Sequence, residues 1–117
     1  MDLKIKFDLE ERTLTFAKEI IKICKKLPFD AINKELISQL VRSGGSVGAN
    51  YREANDALSK KDFTYRMKIS RKETKETNYW LELLKEANPD FSEKIDELMK
   101  ETNELKKIFS AIIKKCT

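Results

Sequence analysis

Histidine is absent from the chain, and with it goes a large part of ordinary enzyme chemistry. No Ser-His or Cys-His dyad, no Glu-x-x-His di-iron site and no imidazole zinc ligand can be assembled. Proline occurs twice and cysteine twice, so neither a proline-rich linker nor a disulfide framework is present. The longest uncharged stretch, Ser43 to Tyr51, is far short of the roughly 20 apolar residues that span a bilayer. Met1–Lys6 lacks an apolar core and a small-residue cleavage site, so no signal peptide and no membrane partner are expected. The expected location is cytoplasmic, with both thiols reduced. Glycine is scarce too: all three, Gly44, Gly45 and Gly48, fall within five positions.

What remains is 117 residues rich in Lys and Glu, 38% charged and 40% hydrophobic, a composition that favours one soluble helical domain over 1–117. The formal charge of +4 is mild and local. Residues 60–88 carry eight basic against five acidic residues, whereas 89–117 is balanced at six of each.

Four amphipathic segments are separated by punctuation, giving helices over about 8–27, 30–58, 60–88 and 91–116. In the first, Leu9, Thr13, Phe16, Ile20, Ile23, Cys24 and Leu27 share one face, and Pro28 ends it. Asp30 is placed to cap the second, and Ser59 with Asp62 resembles a capping box for the third. In the fourth, Ile95, Leu98, Thr102, Leu105, Phe109, Ile112 and Cys116 form a heptad-like seam. Upstream of the first helix, Leu3, Ile5 and Phe7 alternate with Lys4 and Lys6, a strand-like signal that suggests an extended arm. Short connections make consecutive helices antiparallel, so the fold class is an all-α, up-down-up-down four-helix bundle. Cys24 and Cys116 then lie about 30 Å apart at opposite ends, too far for a disulfide.

The glycine cluster reads as a loop by propensity, since each Gly costs roughly 1 kcal/mol inside a helix. Phase argues for a continuous helix, because Leu36, Leu40, Val47, Tyr51, Ala54 and Leu58 stay within one arc across the glycines. The three glycines then form a flank for close backbone approach. A phosphate-binding loop is disfavoured, because Gly48 is followed by Ala49-Asn50 rather than Lys-Ser/Thr.

On the third helix, Phe63, Met67, Ser70, Thr74, Thr77, Leu81 and Leu84 form a core stripe, its small polar residues set to face the glycine flank. A second apolar set, Tyr65, Ile69, Trp80, Leu83 and Ala87, lies beside it. The surplus marks a subunit interface, the alternative being a deeply buried helix. On the opposite side Lys60, Lys61, Lys68, Arg71, Lys72 and Lys75 share roughly 120° of arc, with Tyr79 at its end. Such a stripe suits phosphates, with tyrosine for base stacking; its plain alternative is a solvated face. Repetition of the stripe in a ring would add weak attractions together.

The acids Glu53, Glu73 and Glu76, together with Asn50, form a polar group. Paired carboxylates suit acid–base or metal chemistry, but a structural network, with Arg66 or Arg52 neutralising the acids, is the stronger expectation. Cys24, beside Lys25 and Lys26, reads as a core cysteine rather than an activated thiol.

The string Gln39 to Ala54 (QLVRSGGSVGANYREA), followed by Ser59-Lys60-Lys61-Asp62-Phe63 and Glu76-Thr77-Asn78-Tyr79-Trp80-Leu81, resembles the four-helix bundle family of proteins encoded in intervening sequences of large-subunit ribosomal RNA genes. The resemblance runs from about Phe7 onward. It implies a left-handed bundle, a homopentameric ring and no enzymatic activity or cofactor. Gly44, Gly45, Gly48, Asn50, Glu53 and Glu76 fall on its motif positions, where a structural role is implied. A related member, the accessory variability determinant of diversity-generating retroelements, binds nucleic acid and a reverse transcriptase. The expected protein is thus a non-enzymatic oligomeric scaffold whose partners are further copies of itself, RNA or DNA, or an RNA-associated protein. The rivals are a dedicated RNA- or DNA-binding protein using the third-helix stripe and, more remotely, a carboxylate–metal enzyme.

Overall fold

A computed structural model describes residues 2–116; Met1 and Thr117, the outermost positions of the expected domain, lie outside the described residues. The chain forms α1 (Leu3–Cys24), α2 (Ala31–Asn55), α3 (Lys60–Ala87) and α4 (Ser92–Lys115), with a 3₁₀ turn at Pro89–Phe91 leading into α4. No strand occurs among the described residues.

The helix starts follow local chemistry. Asp30 accepts from the Asn33 amide at 2.8 Å, and Ser59 accepts from the Asp62 amide at 3.0 Å, each satisfying a backbone donor that the first turn leaves open. The expected extended arm at Leu3, Ile5 and Phe7 is instead the first turns of α1. Asp2 caps it by accepting from the Lys4 amide at 2.9 Å, and the Lys6 carbonyl accepts from the buried Tyr51 hydroxyl at 3.1 Å. A cap and a tertiary anchor outweigh three alternating residues. Two ends also shift inward: α1 stops at Cys24 rather than Leu27, and α2 at Asn55, leaving Leu58 fully exposed in the connection instead of on the core stripe.

Side-chain pairings fix the topology. Thr13 meets Gly48 and Ile20 meets Gly44; Val47 pairs with Ser70 and Ser43 with Thr77; Arg71 pairs with Ser110 and Asn78 with Thr102. As one residue number rises its partner falls in every case, so each neighbouring pair is antiparallel, and Arg12–Glu101 and Glu19–Lys94 close α1 onto α4 in the same sense. The bundle measures 44 × 21 × 20 Å.

The core runs its length through Leu9, Phe16, Ile20, Leu40, Val47, Met67, Leu81, Leu105 and Phe109, with Tyr51 stacked on Phe109 at 6.0 Å. In α4 the buried row continues to Ile113 rather than Ile112. An α-helix turns slightly less per residue than a strict heptad requires, falling about 20° short per heptad, so the seam drifts toward its end. At one end of α2 and α3, buried Asn33 and Asn88 exchange amide hydrogen bonds at 2.9 and 2.8 Å. Asn33 also donates to the Pro28 carbonyl and Asn88 to that of Leu84, so the pair ties the α1–α2 connection to the α3 terminus.

Candidate interaction surfaces

The glycines split by position. A Cβ on Gly44 would stand 2.5 Å from Ile20 Cδ1, and one on Gly48 would stand 2.9 Å from Thr13 Oγ1 and 3.6 Å from the Thr13 carbonyl carbon. These two are the close-approach flank, and the helix they admit is α1. Gly45 is not part of it: nothing lies within 4 Å of its Cβ position, and it is exposed. The flank toward α3 is lined by hydroxyls instead. Ser70 donates to the Val47 carbonyl at 3.0 Å and Thr77 to Ser43 Oγ at 3.0 Å, as the small polar residues of α3 suggest.

On the outer seam between α2 and α3, the motif residue Glu76 stands with Glu73 opposite Arg42. Arg42 donates to Gln39, to Glu73 at 3.4 Å and to Glu76. The expected neutralisation by Arg66 or Arg52 is therefore wrong in detail: Arg66 pairs with Asp62 in its own helix, and Arg52 with Glu10 of α1. Arg42 wins because antiparallel packing sets it opposite Glu73 and Glu76, a pairing that linear spacing within one helix cannot show. Asn50 donates back to the Ser46 carbonyl at 2.9 Å, and Glu53 is exposed. No group of three or more Cys, Asp or Glu arranged to hold a metal occurs among the described residues.

The apolar members of this face are only partly covered. Tyr65 is 59% and Leu83 36% exposed, while Ile69 and Trp80 are half-buried. Ile32 of α2, also exposed, is a further apolar residue that the sequence pattern did not flag. The Trp80 indole nitrogen is buried without a hydrogen-bond partner. Tyr79 meets Trp80 edge-on, with ring centroids 5.2 Å apart.

The basic stripe of α3 borders this face, with Lys60, Lys61 and Lys68 lining one cavity together with Tyr65. Lys60, Lys61, Lys68, Lys72 and Lys75 are exposed, and none is in an ion pair. Arg71 donates to Ser110 of α4 at 3.4 Å, which orients its guanidinium along the α3/α4 seam. The structure adds what segment-wise charge conceals. All six acids of 89–117 precede Leu105, and Lys106, Lys107, Lys114 and Lys115 follow it. Lys106 borders a cavity of about 150 Å³ together with Lys75 and Asn103, so lysines from two helices share one surface. Of the neighbouring acids, Asp62, Glu73 and Glu76 point toward arginines at the α2 side and Glu101 onto Arg12 of α1, whereas the exposed Glu82 accepts from Asn78, which borders the same cavity.

Both cysteines are free. Burial pushes the Cys24 thiol up to about 11, the opposite of activation by its lysine neighbours. No helix among the described residues is long and apolar enough to cross a membrane.

These features define an all-helical, four-helix protein whose conspicuous chemistry lies on its outer seams. The 23S rRNA-intervening sequence protein family matches residues 6–111, and the chain belongs to that family. A crystal structure of a protein of unknown function from the S23 ribosomal protein family of Bacteroides thetaiotaomicron is similar, with 34% identity and a TM-score of 0.81. The similarity covers 93% of this chain and 97% of that one. No curated protein matches the chain.

Proposed function

We propose that the protein is a non-enzymatic, self-associating scaffold that acts in the cytoplasm, assembled as the homopentamer implied by its family resemblance. The observation that supports this reading is the outer α2/α3 seam. It exposes Tyr65, Leu83 and Ile32 on the same side as the half-buried Ile69 and Trp80. Isolated exposed apolar residues are ordinary, but several on one face beside a half-buried tryptophan suit a protein interface. Light scattering on a sizing column tests it: an oligomer at tens of micromolar is expected, and a monomer would overturn it.

A second reading, RNA or DNA binding through the α3 stripe, is favoured by its lack of ion pairs and by the lysines that α4 adds beside it. An RNA-associated protein with an acidic surface would use the same face. Phosphate contacts release counterions, so retention of mixed RNA should fall steeply with salt. Changing Lys68, Arg71 and Lys75 together to Glu should abolish retention; unchanged affinity would remove the reading.

A further inference from the structure

Two cavities adjoin at the end of the bundle where α1 and α3 begin and α4 ends. The first, of about 510 Å³, is lined by Lys60, Lys61, Thr64, Tyr65 and Lys68 of α3. The second, of about 520 Å³, is lined by Ile5 of α1, Phe63 of α3 and Ile112 of α4, together with Lys60 and Lys115. Lys60 and Cys116 border both, so the two make one groove. Antiparallel packing creates the site by returning the last turn of α4 to the first turn of α3. Lys6 Nζ donates to the Asn55 carbonyl at 3.2 Å, which holds the start of α1 at the same end.

The groove joins uncovered apolar surface to uncompensated positive charge. Ile5 is exposed, while Phe63 and Ile112 are half-buried, packed on the core from one side only. Among the described residues its lining carries four lysines against one acid, and none of the four is in an ion pair. The acid is Asp2, whose carboxylate already accepts from the Lys4 amide as the cap of α1. Asp62 is paired with Arg66, and the exposed Asp56 of the α2–α3 connection lines neither cavity. This combination discriminates between anions. A phosphodiester chain would meet the lysines but leave the largely aliphatic hollow of Ile5 and Ile112 unfilled. A single-headed amphiphile would fill the hollow and leave most of the lysines unmatched. A peptide with an apolar side chain between carboxylates matches both.

We propose that this groove docks an acidic peptide segment of a partner protein, seating one or two large apolar side chains among Ile5, Phe63 and Ile112. The segment's carboxylates then meet Lys115 on one side and Lys60, Lys61 and Lys68 on the other. The site rests on the reading of the α3 lysines as a face for an acidic partner, and adds to it an apolar anchor contributed by α1 and α4. Burial of the anchor supplies affinity, and the lysines select acidic neighbours around it.

Fluorescence anisotropy on the full chain tests the proposal with three labelled probes. They are a peptide of glutamates around a central Leu-Phe pair, the same peptide with Ser-Ser at its centre, and a single-stranded RNA of mixed sequence. The Leu-Phe peptide should bind about tenfold or more tighter than the Ser-Ser peptide, and salt should weaken both. Ile5→Ser, a surface change outside the lysine stripe, should remove most of that preference and leave RNA retention as in the parent. Lys60→Glu with Lys61→Glu should abolish peptide binding while circular dichroism stays that of the parent, since acids suit the first turn of a helix. Equal binding of the two peptides overturns the anchored site and leaves the acidic-partner reading standing; no binding of either at low salt overturns both. Weaker RNA retention in Ile5→Ser gives the groove to nucleic acid, and dissociation of a parent assembly by that change gives it to a second copy. Either result overturns the proposal.

Discussion

Helix α2 packs on two neighbours by two different means. Toward α1 it presents Gly44 and Gly48, so that Thr13 and Ile20 sit against bare backbone; toward α3 it presents Ser43 and the Val47 carbonyl to Thr77 and Ser70. The first contact is a matter of volume: a methyl on Gly44 would meet the movable end of Ile20, whereas one on Gly48 would meet Thr13 Oγ1 and Cβ close to the α1 backbone. The second is a matter of hydrogen bonding, and its cost appears when one partner is removed. The Asn33–Asn88 pair is the extreme of the second kind, a buried amide exchange in which each side chain satisfies the other.

The comparison can be broken most forcefully at that pair. Asn88→Ala should destabilise the fold by about 2–4 kcal/mol in urea unfolding, because it leaves the Asn33 amide buried with its bonds half made. Gly48→Ala should cost about 1–2 kcal/mol: the gain in helix propensity is outweighed by contacts of 2.9 and 3.1 Å to Thr13 Oγ1 and Cβ, the second of which no rotation of the side chain relieves. Thr77→Val should cost about 1 kcal/mol, removing the bond to Ser43 while conserving shape. Gly45→Ala should move the other way, stabilising by about 0.5–1 kcal/mol, since it meets open space in a helix interior. If Gly45→Ala and Gly48→Ala changed stability equally, the distinction between the open and the packed glycine would fall.

A smaller effect concerns Cys24 at the edge of the α1/α2 seam. Its folded pKa of about 11 exceeds the ordinary value of 9.0 through burial. A raised pKa means that the proton is bound more tightly in the folded state. The associated stability is therefore complete below pH 9 and is lost as pH rises through about 11. Alkylation by iodoacetamide at pH 8 should be markedly slower at Cys24 than at a free peptide thiol.

Periodicity made the four helices legible, including the continuity of α2 through its glycines, because burial along a helix repeats at a fixed angle whatever the partner is. Caps at Asp30 and Ser59 were legible for a similar reason: they act over three residues. The same locality misled at Leu3, Ile5 and Phe7, where alternation resembled a strand and the Tyr51 hydroxyl, 45 residues away, anchors a helical turn. Arg42 was hidden among motif residues because its acids lie 31 and 34 residues on. The gathering of α4 lysines beside the α3 stripe was hidden by averaging charge over a segment whose two halves face different neighbours.

By itself the sequence determined the class of fold, the excluded histidine chemistry and which residues turn inward, since these depend on composition and on contacts within a few residues. The tertiary structure decided which glycines are packed, which arginine answers which acid, and which faces remain uncovered. Those outcomes depend on which helix stands beside which, and only the assembled bundle sets that.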